Sequence, residues 1–215
     1  MNVHDHQGIQ DLLQFLGITL PPGRFTARHN IAPGALLYSV FGAEEPQLAE
    51  MEWGIVPIWA KPGTYSRSLI NARAETIWEK SSFRKLVKEK RTIIPVDGFY
   101  EWKRGKDGKI PYYFNSSTAG AIALGAIYRI SKDGVMQCCV VTTAANKLMQ
   151  PVHNRMPVVV PTEAMSDWLG SQDRNVVDQL MLPLGDNVLE KTRVSKYVSK
   201  TSNEGEKCIE PEAAD

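Results

Sequence analysis

The spacing of apolar residues near the start of the chain predicts a helix. Ile9, Leu12, Leu13 and Leu16 recur at the three- and four-residue intervals of one helical face, and Gly17 follows as a stop signal. Three later segments have similar spacing and are also predicted to be helical: 74–90, 162–169 with Thr162 as its cap, and 175–182.

Most of the remaining apolar residues lie in short runs that predict β-strands. These runs are rich in β-branched and aromatic residues and are separated by polar turns. They occupy residues 36–41, 48–57, 91–104, 111–117, 121–130, 135–145 and 189–198. Asp-Gly pairs at 107–108 and 133–134 favour hairpin turns between neighbouring runs. Because hairpins predominate and helices do not alternate regularly with strands, the pattern predicts an α+β fold with a mainly antiparallel, barrel-like sheet.

Length and composition add limits to this picture. A chain of 215 residues with 43% hydrophobic and 23% charged residues fits one domain, predicted over 1–211, with 212–215 as a loose tail. No apolar run approaches the length of a membrane span, and the first residues lack the pattern of a secretory signal, so a cytoplasmic protein is expected. The net charge is only +1, so any nucleic-acid binding would need a local basic patch.

The cysteines and histidines give no sign of a metal site or a disulfide framework. Cys138 and Cys139 are adjacent within an apolar run and Cys208 stands alone, so buried reduced thiols are expected. His4 and His6 lie near the terminus without partner cysteines and are expected to be solvated. No metal and no cofactor are predicted.

Three polar residues stand where the core pattern would place apolar ones: Asn71, Glu101 and His153. Glu101 lies between Tyr100 and Trp102, and a carboxyl group among aromatic side chains has its charged form disfavoured, which raises its pKa toward values useful for proton transfer. Strand alternation could instead turn Glu101 outward. His153 could equally be a loop histidine that caps a neighbouring carbonyl group.

Six short motifs accompany these residues along the chain. They are NIAPG at 30–34, WG at 53–54, INARAE at 70–75, PVDGFYEW at 95–102, TTAAN at 142–146 and HNRMP at 153–157. In this order and spacing they resemble the SOS response-associated peptidase (SRAP) family, and the resemblance extends from about residue 9 to residue 211. It implies a distorted β-barrel of mixed strand direction flanked by helices.

The resemblance also implies an activity, because members of that family are abasic-site processing proteins. They recognise an abasic sugar in single-stranded DNA and link to it covalently through the N-terminal residue, after self-removal of the initiator methionine. On the matching positions, Asn71 would hold the N-terminal residue, Glu101 would act as an acid and base near the new bond, and His153 would assist opening of the sugar. Crosslinking, lyase-type and peptidase-like (hydrolase) steps are therefore expected at these three catalytic residues.

The same resemblance implies a DNA-binding surface beside them. Arg73 and Arg155 would hold phosphate groups, while Pro33 and Trp59 would lie against bases at the lesion. The expected partner is single-stranded DNA containing abasic sites, bound by a monomer that associates with the nucleoid. An alternative at the start of the predicted helix is that Arg73 and Glu75 form a surface ion pair.

The start of the chain departs from the family pattern. Family members begin Met-Cys-Gly-Arg, whereas this chain begins Met1-Asn2-Val3, as if about four residues were missing. The three cysteines lie far from the N-terminus, so this chain is expected to form no thiazolidine. Placing Cys-Gly-Arg-Phe after the initiator methionine is expected to restore thiazolidine formation. Two alternatives remain open: a module that shields abasic single strands without covalent chemistry, and a peptidase acting on other proteins.

Overall fold

The computed structural model describes residues 1–4, 6–20, 26–57, 68–106, 108–118 and 120–212. Within these residues the helices are α1 (His6–Gln14), α2 (Arg84–Glu89), α3 (Met165–Gly170) and α4 (Arg174–Leu180). The strands are β1 (Leu36–Phe41), β2 (Gln47–Trp53), β3 (Asn71–Arg73), β4 (Arg91–Val96), β5 (Gly98–Gly105), β6 (Gly108–Ser116), β7 (Ile122–Ile130), β8 (Met136–Ala144), β9 (Arg155–Pro157), β10 (Val159–Val160) and β11 (Leu189–Arg193).

Five of the strands close into a barrel. The order is β7-β4-β1-β2-β8, and β8 pairs with β7 to complete the ring. All of these pairs are antiparallel except β2 with β8, which run parallel. Short strands extend the barrel sheet, because β10 pairs with β7 while β3 and β9 pair with β8. The predicted α+β fold with a mixed, mainly antiparallel barrel is confirmed.

A second sheet stands beside the barrel. Strands β5, β6 and β11 form it, all antiparallel, with Glu101 opposite Tyr112 in the β5–β6 hairpin. The chain passes from the barrel to this sheet between Val96 and Gly98. A Cβ atom on Gly98 would lie 2.3 Å from the carbonyl oxygen of Phe114, so only glycine permits this close approach of the two backbones.

The helices lie against the outside of the barrel. The first one agrees with its prediction: Ile9 and Leu13 are fully buried, and Gly17 adopts a φ of 71° just after the helix. The amide of Ile18 donates to the Leu13 carbonyl at 3.0 Å, which satisfies a carbonyl at the helix end. This backbone turn explains why a glycine follows the apolar stripe.

The single helix predicted over 74–90 is wrong. The chain instead forms a 3₁₀ turn at Ala74–Thr76, a further turn, and then the short helix α2. Ser81 and Ser82 lie at the break and favour helix interiors weakly. Trp78 is held by α4, where its indole N–H donates to Asp178 Oδ1 at 2.6 Å. Tertiary contacts thus replace a local helical preference.

Smaller differences occur toward the C-terminus. The helix predicted from Thr162 begins as a 3₁₀ turn without a side-chain cap and includes Gly170 in α3. The strand predicted over 189–198 ends at Arg193, because Ser195 accepts a hydrogen bond from the amide of Tyr197 and starts a 3₁₀ turn. Cys208 lies in another 3₁₀ turn.

The barrel strands and the helices packed against them form the main core together. Trp168 of α3 is fully buried, and its indole N–H donates to the carbonyl of Thr92 in β4 at 2.9 Å. Cys138 and Cys139 of β8 are buried free thiols, as predicted, and burial raises the pKa of Cys138 to about 12. Both are therefore protonated structural side chains at neutral pH. Across the part of the chain that the structure describes, no helix has the length and apolar character needed to cross a membrane.

Candidate functional site

A cavity of about 990 Å³ opens between the barrel and the second sheet. Strands β3, β8 and β9 line it from the barrel, and β5 lines it from the second sheet. The N-terminal residue and the NIAPG segment contribute as well. Elements from distant parts of the sequence therefore meet at one place.

Strand β3 presents Asn71 and Arg73 to the cavity. It pairs in parallel with β8, so that Asn71 is opposite Val140 and Arg73 is opposite Thr142. Successive side chains of a strand point to opposite faces, and Ala72 between them is completely buried. Asn71 and Arg73 are consequently exposed on the same face, and both line the cavity.

Strand β5 supplies Glu101. Alternation places Glu101 on the face of Phe99, which is part of the main core, so the carboxyl group is half-buried and lines the cavity rather than pointing outward. Burial raises the pKa of Glu101, and the nearby His153 partly opposes that rise. The direction of shift expected from the aromatic surroundings is confirmed.

His153 lies on the opposite side of the cavity, just before β9. Its Nδ1 atom is 3.1 Å from the backbone N–H and 3.2 Å from the carbonyl oxygen of Arg155. The expectation of a local contact to the backbone and the expectation of a cavity residue are therefore both met. The Nε2 atom makes no hydrogen bond to any residue that the structure describes.

Arg155 lines the same cavity, but most of its donors contact protein groups. Its guanidinium donates to both carboxylate oxygens of Glu75, at 2.5 and 2.9 Å, and to the carbonyl oxygen of Thr142 at 2.6 Å. This interaction lowers the pKa of Glu75. The alternative of an ion pair between Arg73 and Glu75 is therefore wrong, since the partner of Glu75 is Arg155. A phosphate contact by Arg155 stays a prediction.

The N-terminal amino group is also part of the cavity. It is buried and donates to the carbonyl oxygen of Ile31 at 2.8 Å. Burial lowers its pKa from 8.0 to about 5, with a smaller contribution in the same direction from Arg28. Asn2 pairs with Gly98 in β5, and Val3 pairs with Arg28, so the backbone register holds Met1 at this place. The amine is therefore mostly neutral at pH 7.

The other predicted DNA-binding residues differ in their outcome. Pro33 lines the cavity, whereas Trp59 lies outside the described residues. Sequence reasoning missed Lys109 and Lys196, which add positive charge to the lining, and Trp102, whose indole N–H donates to Ser199. Lys109 lies opposite Arg104 in the β5–β6 hairpin, and Arg104 is not part of the lining, so the local sequence gives no signal for Lys109. No local signal marks Lys196.

Contacts within the described part of the chain hold His4, near the N-terminus. Among the described residues, no group of three histidine, cysteine, aspartate or glutamate side chains is arranged to hold a metal ion. His4 instead contacts the buried Asp97, with Nδ1 to Oδ2 at 3.0 Å, and its ring lies against that of His29. The predicted solvated His4 is thus half-buried and held by the start of the second sheet.

Fold and site together define a class of protein: a mixed β-barrel with an open cavity whose lining includes an amine, a carboxyl group, an imidazole and several cations. Residues 4–201 match the family described as SOS response associated peptidase (SRAP), so the chain belongs to this family.

Known proteins of similar sequence and structure agree with this assignment. Abasic site processing protein YoqW of Bacillus subtilis is 34% identical over 199 residues, covering 89% of each chain. Abasic site processing protein YedK of Escherichia coli is 29% identical over 194 residues, covering 86% of this chain and 84% of that protein. A crystal structure of a protein from Bacteroides thetaiotaomicron superposes with a TM-score of 0.73 at 25% identity, covering 84% of this chain and 82% of that one.

Proposed function

We propose that this protein processes abasic sites in single-stranded DNA, and that the reaction takes place in the cavity. The observation that carries the proposal is the meeting of a neutral α-amine, the carboxyl group of Glu101 and the imidazole of His153 in one open cavity. The names of the relatives YoqW and YedK support the same substrate.

The cavity suits a single strand with a missing base. Trp53 and Trp102 are only half-buried and give it aromatic surfaces on which neighbouring bases can stack. Arg73, together with lysines of the lining, can contact phosphates. An abasic sugar carries no base, so its reactive carbon is accessible to a group in the cavity.

The proposed chemistry begins with the ring-opened sugar, which presents an aldehyde. The lone pair of the Met1 amine attacks the aldehyde carbon, and a proton moves from nitrogen to oxygen to give a carbinolamine. The protonated Glu101 carboxyl then gives its proton to the hydroxyl group, which leaves as water. The resulting iminium loses its N–H proton to the Glu101 carboxylate, which leaves an imine and restores the acid.

Three further residues have supporting roles in this proposal. Asn71 holds the N-terminal residue near the aldehyde. His153 assists opening of the sugar, because its Nε2 atom is free of described protein contacts and can exchange a proton with the ring oxygen. Arg73 holds the phosphate beside the lesion.

The N-terminal side chain decides how long the link lasts. Met1 has no thiol, so its imine is reversible, whereas an N-terminal cysteine closes its thiol onto the imine carbon to give a thiazolidine. Since the pairing of Asn2 with Gly98 holds residue 1 at the cavity, a cysteine in place of Met1 is the change that best fits this register. A four-residue Cys-Gly-Arg-Phe extension would have to be accommodated within the cavity or its opening.

The test compares three proteins on an abasic oligonucleotide: the 215-residue chain, a variant whose first residue after methionine removal is cysteine in place of Met1, and the Cys-Gly-Arg-Phe extension. Each reaction is divided and run on denaturing gels with and without borohydride reduction. We expect the 215-residue chain to give an adduct only after reduction and the cysteine variant to give a heat-stable adduct without it. Cleaved oligonucleotide on the same gels measures lyase activity.

The controls separate the alternatives. An oligonucleotide with a tetrahydrofuran in place of the abasic sugar has no aldehyde and should bind without reacting. Mass spectrometry of the cysteine variant, with and without Glu101→Ala, measures self-removal of the initiator methionine. Binding without any adduct from all three proteins would favour the shielding alternative, and failure to bind abasic or tetrahydrofuran DNA would exclude the proposed function.

A further inference from the structure

We propose that Glu75 is a positioning residue for His153: its carboxylate holds the Arg155 side chain against β8 and thereby fixes the backbone that the imidazole contacts. The inference rests on the proposed function for the catalytic role of His153, but the geometry that supports it belongs to the DNA-free protein. Glu75 itself does not line the cavity.

The contact between Glu75 and Arg155 is a strong one. The two side chains form a bidentate pair, with oxygen to nitrogen distances of 2.5 and 2.9 Å. Such a pair is directional as well as charge-assisted. The Arg155 side chain is only 21% exposed, whereas that of Glu75 is 49% exposed, so the arginine is fixed from inside while its partner reaches in from the surface.

The Arg155 guanidinium joins three elements of the fold. Glu75 lies in the 3₁₀ turn after β3, Thr142 lies in β8, and Arg155 begins β9. Because the guanidinium donates to Glu75 and to the Thr142 carbonyl at 2.6 Å, it ties these three elements together. Only three residues of β9 pair with β8. The side-chain contacts of Arg155 therefore contribute a large share of the interactions that hold this first residue of the strand in place.

The backbone of Arg155 in turn contacts the imidazole of His153. The amide N–H of Arg155 can only donate, so at 3.1 Å it requires a lone pair on Nδ1 of His153. The neutral ring must then carry its proton on Nε2, the nitrogen without a described protein partner. When the ring gains a second proton, Nδ1 can donate instead to the Arg155 carbonyl at 3.2 Å. The backbone of Arg155 can therefore form a hydrogen bond with Nδ1 of His153 in both protonation states of the ring.

The charges around His153 come from several elements. Glu101 of β5 interacts with it across the cavity, and Arg155 lies beside it, neutralised by Glu75. Removing the Glu75 charge would leave the guanidinium without its carboxylate, free to move toward other acceptors such as Glu101. We therefore expect loss of Glu75 to disturb the position of the imidazole without altering the barrel.

The test uses the complete 215-residue protein, labelled with ¹⁵N and free of DNA. Long-range NMR spectra report which imidazole nitrogen carries the proton, and His153→Ala identifies the signals of His153 among the four histidines. We expect the native protein to show the tautomer protonated on Nε2. Glu75→Gln should replace that pattern with an average of both tautomers, while Glu75→Asp should retain most of the native pattern. Glu79→Gln, an exposed glutamate in the same segment, should change nothing.

A kinetic arm follows the same variants. Glu75→Gln should slow the reductive trapping of abasic DNA by roughly 10-fold, a modest share of the loss that misplacement of a reacting group can cause. Unchanged His153 signals in a folded Glu75→Gln protein would overturn the proposal. If that variant also bound DNA more tightly, the role of Glu75 would be only to keep Arg155 from contacting DNA. If Glu75→Gln does not fold, Arg155→Lys gives the same NMR test. Failure of all variants to bind abasic DNA would exclude the proposed function but leave the tautomer result intact.

Discussion

Ionisable groups at two walls of the cavity have pKa values shifted toward opposite charge states: neutral at one wall, charged at the other. On the buried wall, formed by Met1 and residues 99–102, burial shifts the pKa of the amine down and that of Glu101 up, so both shifts favour the neutral form. The charged wall is lined by Asn71, Arg73, His153 and Arg155. Behind it, the pKa of Glu75 is lowered by Arg155 and the carboxylate stays ionised. The two glutamates differ in their contacts: Arg155 donates to both carboxylate oxygens of Glu75, whereas no arginine of the described residues does so for Glu101.

This comparison separates two uses of a glutamate. A carboxyl group whose pKa is raised by burial gives and takes protons more readily near neutral pH than an ordinary one, as expected of a general acid and base. A carboxylate held ionised by a guanidinium cannot readily do so and serves as a fixed charge. The same residue type therefore suits chemistry on one wall and positioning on the other.

The largest expected effect concerns the Met1 amine. The unfolded amine binds a proton below a pH of about 8, whereas the folded amine does so only below about 5, so the unfolded state holds more protons between these values. The free energy of unfolding should therefore rise with pH across this window, by up to about 4 kcal/mol. Urea unfolding of the 215-residue chain between pH 5 and 8 measures the change.

Two controls isolate the amine in that measurement. An N-terminally acetylated chain lacks the titrating group and should lose the dependence. His29→Gln removes the other group nearby whose pKa is lowered by burial, and it should leave most of the dependence in place. A pH-independent stability in the unmodified chain would contradict burial of the amine.

The next effect concerns the carboxyl group of the buried wall. Glu101→Ala should slow imine formation by about 10²-fold, the lower end for loss of a general acid or base. Single-turnover borohydride trapping measures the rate, and fluorescence anisotropy checks that DNA affinity is retained. Glu79→Ala is the matched control. Equal rates for the two variants would show that Glu101 is not a catalytic residue and that the buried wall has a structural role.

A smaller effect is expected at the charged wall. Arg73 is exposed beside the cavity, and its contact with one phosphate should release counterions. Arg73→Ala should make the slope of log affinity against log salt concentration shallower by about 0.7, the value for one phosphate of a single strand. Lys85→Ala removes an exposed cation in α2, outside the cavity lining, and should leave the slope unchanged. An unaltered slope for Arg73→Ala would mean that other cations carry the phosphate contacts.

The smallest effect tests the comparison most directly, through stability at pH 7. Glu101→Gln should raise the free energy of unfolding by about 1 kcal/mol, because an amide is less costly to bury than a carboxylate. Glu75→Gln should lower it by about 0.5 kcal/mol, a modest value because its side chain is half exposed. Chemical denaturation of both variants gives the two signs, and equal signs would break the distinction between the walls.

The pH dependence of these two contributions should also differ. The raised pKa of Glu101 contributes stability below the unfolded value near 4.5, and this is lost as pH rises through the folded pKa. The lowered pKa of Glu75 contributes stability above that same unfolded value, and this is lost as pH falls through the folded pKa. Each glutamine variant should remove its own dependence.

Local pattern was enough to predict much of the fold. The helix ending at Gly17, the barrel strands and the burial of Cys138 and Cys139 follow from residue spacing, because side chains on a helix or strand have a fixed periodicity. The motifs also predicted which polar residues to examine, and Asn71, Glu101 and His153 all line one cavity. Their catalytic roles remain predictions.

Only the tertiary structure decided the pairings between distant segments. The break in the predicted helix at 74–90 depends on Trp78 contacting α4, and the ion pair of Glu75 with Arg155 joins residues 80 positions apart. The shifted pKa of the Met1 amine likewise depends on burial against Ile31 and on pairing of Asn2 with β5. Sequence spacing carries no information on such contacts, because burial and charge partners are set by which elements pack together.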